Sequence, residues 1–190
     1  MQDLRGRRAI DVGCGEGKNA VFLRKLGMEV TALDVSSVAL ANASNAWPAD
    51  EGVTWRRADI RDIELEDEAF DLVVAYGLLH CMVDEKEVVS VVENLKRATK
   101  RGGIQILCAF NSRHQDLRAH PGFSPTLLSH QQYLDMYSEW EVLLGTDTDL
   151  WESHPHNQLE HVHSLTRLIL RRQTVENRDL EREVLNVHSS

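Results

Sequence analysis

The sequence predicts an α/β protein built on a doubly wound, seven-stranded sheet, mostly parallel and ending in an antiparallel strand. Three observations predict it. Short apolar runs alternate with segments of helical period between residues 8 and 110, and repeated βα units of this kind force a parallel sheet with helices on both faces. The first run opens into spaced glycines, Asp11-Val12-Gly13-Cys14-Gly15-Glu16-Gly17, and the second run closes on Asp34. The last two apolar runs have no helix between them long enough to cross the sheet, so they pair as antiparallel neighbours.

Each element has its own local reason. Arg8–Val12 reads as the first strand. Residues 17–26 have a helical pattern that Gly27 closes as a C-terminal cap. Glu29–Asp34 is the second strand, and Ser36 or Ser37 caps a helix running to about Ala46. Val53–Arg57 is the third strand, and an acidic loop over 59–68 replaces a full helix after it. Phe70–Tyr76 is nearly all apolar, which predicts a central strand buried on both faces. Asp84-Glu85-Lys86-Glu87 is a capping-box variant that opens a helix to about Ala98. Arg101-Gly102-Gly103 turns into a fifth strand over 104–110. Residues 111–128, rich in His, Arg and Pro and without period, read as a mobile loop over an active site. Ser129-His130-Gln131-Gln132 fits a capping box for a short helix ending near Tyr137. A sixth strand begins at 141–144 and a seventh spans 164–171. Residues 1–172 make one domain; 173–190 are polar with a weak apolar stripe and make a terminal helix or a tail.

Composition narrows the class. A chain of 190 residues, 42% hydrophobic and 27% charged, is long enough for one sizeable core. No apolar run approaches a membrane span, and the basic start lacks the apolar stretch of a targeting signal. Cys14, Cys81 and Cys108 are odd in number, far apart and in no C-x-x-C pair, which argues against a disulfide framework or a zinc knuckle. These features predict a cytoplasmic protein. A net charge of −9 disfavours nucleic-acid binding, which rests on cations facing phosphate. The expected partner is a small molecule, with no nucleic acid and no membrane; a homodimer stays open.

The glycine turn concentrates the chemistry. Its G-x-G-x-G spacing differs from the G-x-G-x-x-G of a dinucleotide fold. The turn, the acid ending the next strand, and Ala58-Asp59-Ile60 after the third strand together resemble the motifs of class I S-adenosylmethionine-dependent methyltransferases, which have a Rossmann-like fold. The resemblance implies S-adenosylmethionine as cofactor and assigns roles. Asp11 helps orient its amino end, through water or the loop. Gly13 and Gly15 remove side chains from its path. Asp34 accepts hydrogen bonds from the ribose hydroxyls, and Val35 packs on the adenine. Asp59 accepts from the adenine amino group while Ile60 packs beside the ring. Backbone around Ala75 and Tyr76 holds the methionine portion. Two of the acids also have plainer readings: Asp34 as a helix cap, Asp59 as a solvated charge.

From about residue 8 to 172 the chain looks most like the small tellurite-resistance (TehB-like) methyltransferase family. The carriers are the turn with Lys18-Asn19, the Phe70-Asp71-Leu72-Val73-Val74 strand, Phe123-Ser124, Trp140-Glu141 and Arg167-Leu168-Ile169-Leu170-Arg171-Arg172. It implies in-line methyl transfer to a small acceptor: a thiol, a chalcogen or an amine. Where that family carries His-Arg, this chain has His154-Pro155, and Glu160 stands near a second expected Arg, which weakens a tellurite or selenite assignment. Catalytic candidates are His154, His80 and Tyr76, with His156 and His161 as further bases. The hairpin cluster of Glu152, His154, His156, Glu160, His161 and His163 admits a zinc or iron site, a base or substrate contact, or a solvated turn; no residue is assigned as a metal ligand. Seven residues precede the first strand, too few for capping helices, which favours a small acceptor. Two other functions stay open: a non-methylating enzyme that releases methylthioadenosine from the same cofactor, and a nicotinamide-dependent oxidoreductase.

Overall fold

The structure is a computed structural model and describes residues 3–47, 52–153 and 158–174. Strands β1 (Arg8–Val12), β2 (Glu29–Asp34), β3 (Val53–Arg57), β4 (Phe70–Tyr76), β5 (Thr99–Gln115), β6 (Trp140–Glu152) and β7 (His161–Arg172) form one sheet in the order β3-β2-β1-β4-β5-β7-β6. The first five are mutually parallel, and β7 lies antiparallel between β5 and β6. This is the doubly wound α/β sheet that the alternating pattern predicts. Chain order reverses between β1 and β4, and that switch point opens a crevice at the carboxyl ends of the strands.

Alternation along the strands divides the core in two. Ala9, Val30, Ala32 and Val74 pack with Ala20, Leu23 and Leu40 from helices α1 (Lys18–Lys25) and α2 (Ser37–Ala46). Ile10, Val73, Leu107 and Leu168 point to the opposite face, under Val88, Val92 and Leu95 of α3 (Glu85–Ala98) and Tyr133 of α4 (His130–Asp135). Caps set the helix starts. The Ser36 hydroxyl accepts from the Ala39 N–H, and Asp84 accepts from the Glu87 N–H. Ser129 and Gln132 complete the reciprocal capping box.

Two strands are longer than their sequence suggests. Thr99 already pairs with Phe70; the ladder then shifts register before Leu72 meets Ile104, so the Arg101-Gly102-Gly103 turn is a bulge inside β5. Beyond Phe110 the strand continues to Gln115, which faces His163. The start of the expected 111–128 loop is therefore sheet, and Asn111 bridges to Leu128 at its end. Strand β7 begins at His161, not at residue 164, because His161 and His163 are buried within the ladder. Of the expected terminal helix or tail, residues 175–190 lie outside the described residues.

A buried polar chain ties α3 to the region after α4. The Tyr137 hydroxyl donates to Gln105 Oε1 (2.7 Å), Gln105 Nε2 donates to Thr99 Oγ1 (2.8 Å), and Thr99 Oγ1 donates to the Leu95 carbonyl (2.8 Å). Tyr137→Phe leaves the Gln105 carbonyl oxygen unpaired in the core. We expect a loss of about 1–3 kcal/mol, read as a lower urea midpoint with an unchanged slope.

Candidate functional site

Backbone geometry of the glycine turn comes first. Gly13 has φ +72°, and a Cβ there would sit 3.0 Å from Leu78 Cδ1, so a side chain would be pushed against the crevice wall. Gly17, with φ +78°, is the N-cap of α1; a Cβ on it would overlap the Trp55 ring at 2.3 Å. The turn is closed by two hydrogen bonds to the Leu33 carbonyl, from the N–H groups of Gly13 (2.8 Å) and Cys14 (3.0 Å).

Asp34 locks this turn from the next strand. Its Oδ2 accepts from the Gly15 N–H and its Oδ1 from the Ser36 N–H, both at 2.8 Å. Its carboxylate stays half-exposed on the wall of a cavity of about 260 Å³. Ser36, not Asp34, caps the following helix. Val35, Asp59 and Ile60 line the same cavity, opposite Gly13, Leu78 and Met82. Val35 is 59% exposed, an apolar side chain left open to the crevice.

Asp11 lies underneath. It is 1% exposed, the Ala20 N–H donates to it, and its Oδ2 has no hydrogen-bond partner among the described residues. Burial, with Asp34 nearby as a lesser cause, pushes its carboxyl up to about 7. Asp11 thus lies beneath the glycine turn and is not among the residues lining the cavity. Burial also pushes the Cys14 thiol up to about 12, so it is not a nucleophile at neutral pH.

On that wall Asp59 already has a side-chain partner, and Ala75, Tyr76 and His80 are not among the lining residues. Arg61 holds both oxygens of Asp59 (2.9 and 2.6 Å), and this ion pair lowers the Asp59 carboxyl. Ala75 is buried in the core and Tyr76 is exposed; the crevice wall at this strand end is built by Gly77 and Leu78 instead. The Tyr76 hydroxyl lies 3.5 Å from Arg167 Nε of β7. His80 sits in the core. Its ring is buried, stacked on Phe110 at 4.2 Å, and its Nδ1 accepts from the Phe110 N–H at 3.1 Å. Burial holds its pKa down at about 4, and the Nδ1 lone pair is engaged by the Phe110 N–H. His154 and His156 lie outside the described residues.

The other hairpin histidines converge on a residue that spacing does not reveal. His120 Nε2 lies 3.1 Å from both His161 Nε2 and His163 Nε2. Glu152 Oε1 is 3.8 Å from each of the latter two. His120 is 41 residues from His161 in sequence, and no local pattern joins them.

A second cavity, about 610 Å³, opens at the other edge of the sheet beside Arg8, Glu29 and Gly52. It lies at the amino ends of the strands, away from the glycine turn. Ligands of open α/β sheets bind at the carboxyl ends, which selects the smaller crevice.

Comparison with known proteins identifies the family. Residues 10–107, just over half of the chain, match the family described as "Methyltransferase domain". A probable S-adenosyl-L-methionine-dependent methyltransferase TehB of Haemophilus influenzae is 27% identical over 138 residues, 72% of this chain and 46% of that protein. A ubiquinone biosynthesis O-methyltransferase of Alkalilimnicola ehrlichii is 34% identical over 110 residues, 57% of this chain and 43% of that protein. The crystal structure of TehB from Haemophilus influenzae superposes with a TM-score of 0.76 at 19% identity, covering 88% of this chain and 58% of that one. The chain spans about half the length of the curated relatives it matches. The domain match begins inside β1, ends inside β5 and spans the glycine turn, Asp34 and Asp59, and with it the chain belongs to the class I S-adenosylmethionine-dependent methyltransferases, whose cofactor is S-adenosylmethionine.

Proposed function

We propose that this chain methylates a small acceptor with a soft nucleophile, a thiol or a reduced chalcogen ahead of an amine, by in-line displacement. S-adenosylmethionine, when bound, supplies a methyl group on a sulfonium that is already a good leaving group. Asp34 would hold its ribose, Val35 and Ile60 its adenine, and Asp59 the adenine amino group, with Asp11 compensating the charge of its amino end. Gly13, Gly15 and the backbone leading from Ala75 and Tyr76 into Gly77 would leave room for the methionine portion.

One observation carries the preference for a soft nucleophile: among the described residues, no side chain on the crevice wall is placed to take a proton. Asp59 is held by Arg61 and Asp34 by two backbone N–H groups; His80, off that wall, gives its lone pair to Phe110. A thiolate or chalcogenide needs positioning and exclusion of water, not deprotonation. An amine or alcohol acceptor would need a base from elsewhere, and His154 is the sequence candidate for it. The names of relatives in ubiquinone and demethylmenaquinone methylation support a small organic acceptor as a class.

An acceptor panel tests the reading. Thiols, selenite and tellurite each with and without excess reductant, amines and carboxylates are supplied with the cofactor, and S-adenosylhomocysteine release is followed. We expect turnover with thiols or reduced chalcogens. Release of methylthioadenosine would assign the other displacement, and turnover with amines alone would overturn the preference for a soft nucleophile.

A further inference from the structure

The geometry points to a divalent transition-metal site of the zinc class, formed by the Nε2 atoms of His120, His161 and His163 with a carboxylate oxygen of Glu152. Three chain segments meet there. His120 comes from the connection after β5, Glu152 ends β6, and His161 and His163 open β7. The four ligand atoms lie within 4.8 Å of one another. His120 Nε2 is 3.1 Å from each of the other two ring nitrogens. Two imidazoles on one tetrahedral zinc, each at its usual bond length, stand about 3.3 Å apart, so the spacing is that of ligands around an ion. Imidazole and carboxylate are also the donor types that zinc accepts.

Outer hydrogen bonds fix which nitrogens face inward. His161 Nδ1 lies 2.8 Å from the Leu159 carbonyl, which only accepts, so Nδ1 carries the proton and Nε2 a lone pair. Gln115 Nε2 donates to the Asn111 (2.7 Å) and Ser164 (2.8 Å) carbonyls. Its Oε1 therefore faces His163 Nδ1 at 2.8 Å, and His163 too carries its proton outward. Both buried rings thus aim lone pairs at one point. An outward Nδ1–H held by a carbonyl or amide oxygen is the arrangement that orients metal-binding histidines.

The site would staple the connection carrying His120 to the β6–β7 hairpin. It joins the crevice side through a stack of rings, His80 on Phe110 and Phe110 on His163, each with centroids 4.2 Å apart. It makes no use of the cofactor, so its test is separate from the methyl-transfer reading.

The full chain, stripped with a chelator, is titrated with zinc chloride by calorimetry. We expect one ion per chain with a Kd below about 1 µM, a higher melting temperature with zinc, and cobalt(II) absorption bands of a four-coordinate site. His120→Ala, a change outside the strands, should weaken zinc at least about 100-fold, and Glu152→Gln about tenfold or more, with S-adenosylmethionine affinity retained as the control for folding. Zinc binding that is absent, or that is equal in the wild type and in His120→Ala, overturns the site.

Discussion

Asp34→Ala should weaken S-adenosylmethionine binding by about 10²–10³-fold, measured by calorimetry on folded protein. Hydrogen bonds to a charged group are worth about 1.5–3 kcal/mol each, and every 1.4 kcal/mol is tenfold in affinity. Two ribose hydroxyls on one carboxylate account for a loss of this size. The substitution also acts on the turn itself. Gly15 and Ser36 each donate to Asp34 at 2.8 Å, so alanine leaves two backbone N–H groups without their acceptor and frees the loop that faces the ligand. His154→Ala should change the same affinity less than about threefold, since its proposed contact is with the acceptor. Asp59→Ala should fall between them: its oxygens are already shared with Arg61, so less of its hydrogen-bonding capacity is available to a ligand. Equal losses in Asp34→Ala and His154→Ala would contradict this division of roles.

The contrast between Asp34 and His80 also shows what a sequence can disclose. Asp34 was legible because its place follows from local rules: an apolar strand, an acid at its carboxyl end, a glycine turn one unit earlier. The bounds of β1 to β4 were readable for the same reason, since strand period, caps and glycines act within a few residues. His80 follows a strand in the same way, yet its ring is buried against Phe110, a residue 30 positions later. No pattern around residue 80 encodes that contact. Strand β5 overran its expected end because the partner that extends it, β7, lies far along the chain and buries polar residues there. The His120 cluster was illegible on both counts. Its ligand atoms come from three segments, and two of its members alternate on a strand in a way that solvated residues share. Asp59 lines the crevice, but its pairing with Arg61, two positions away, was not anticipated; charge in an acidic loop carries no signal about which neighbour it chooses.

Asp11→Asn should separate from the wild type in a pH-dependent way. In the free protein burial raises the Asp11 carboxyl from 3.8 to about 7. Between those values the folded state holds a proton that the unfolded state has released, so the group's contribution to stability falls as pH rises. It is fully favourable below about pH 4 and is lost by about pH 7. Three pH units correspond to roughly 4 kcal/mol at most, and partial relaxation of the charged form makes about 2–4 kcal/mol the expected span. Total stability will not display this alone, because His80, held down at about 4, contributes the opposite slope in the same window. The difference between the Asn variant and the wild type isolates Asp11. Asparagine keeps the acceptor for Ala20 but buries an amide donor, a cost that does not vary with pH. The variant should therefore gain on the wild type steadily from pH 4 to 7, whatever its absolute offset. Saturating S-adenosylmethionine should flatten that gain, since the positive amino end of the ligand favours the ionised acid. A difference independent of pH, followed by thermal melts of both proteins, would show that Asp11 is already ionised in the fold.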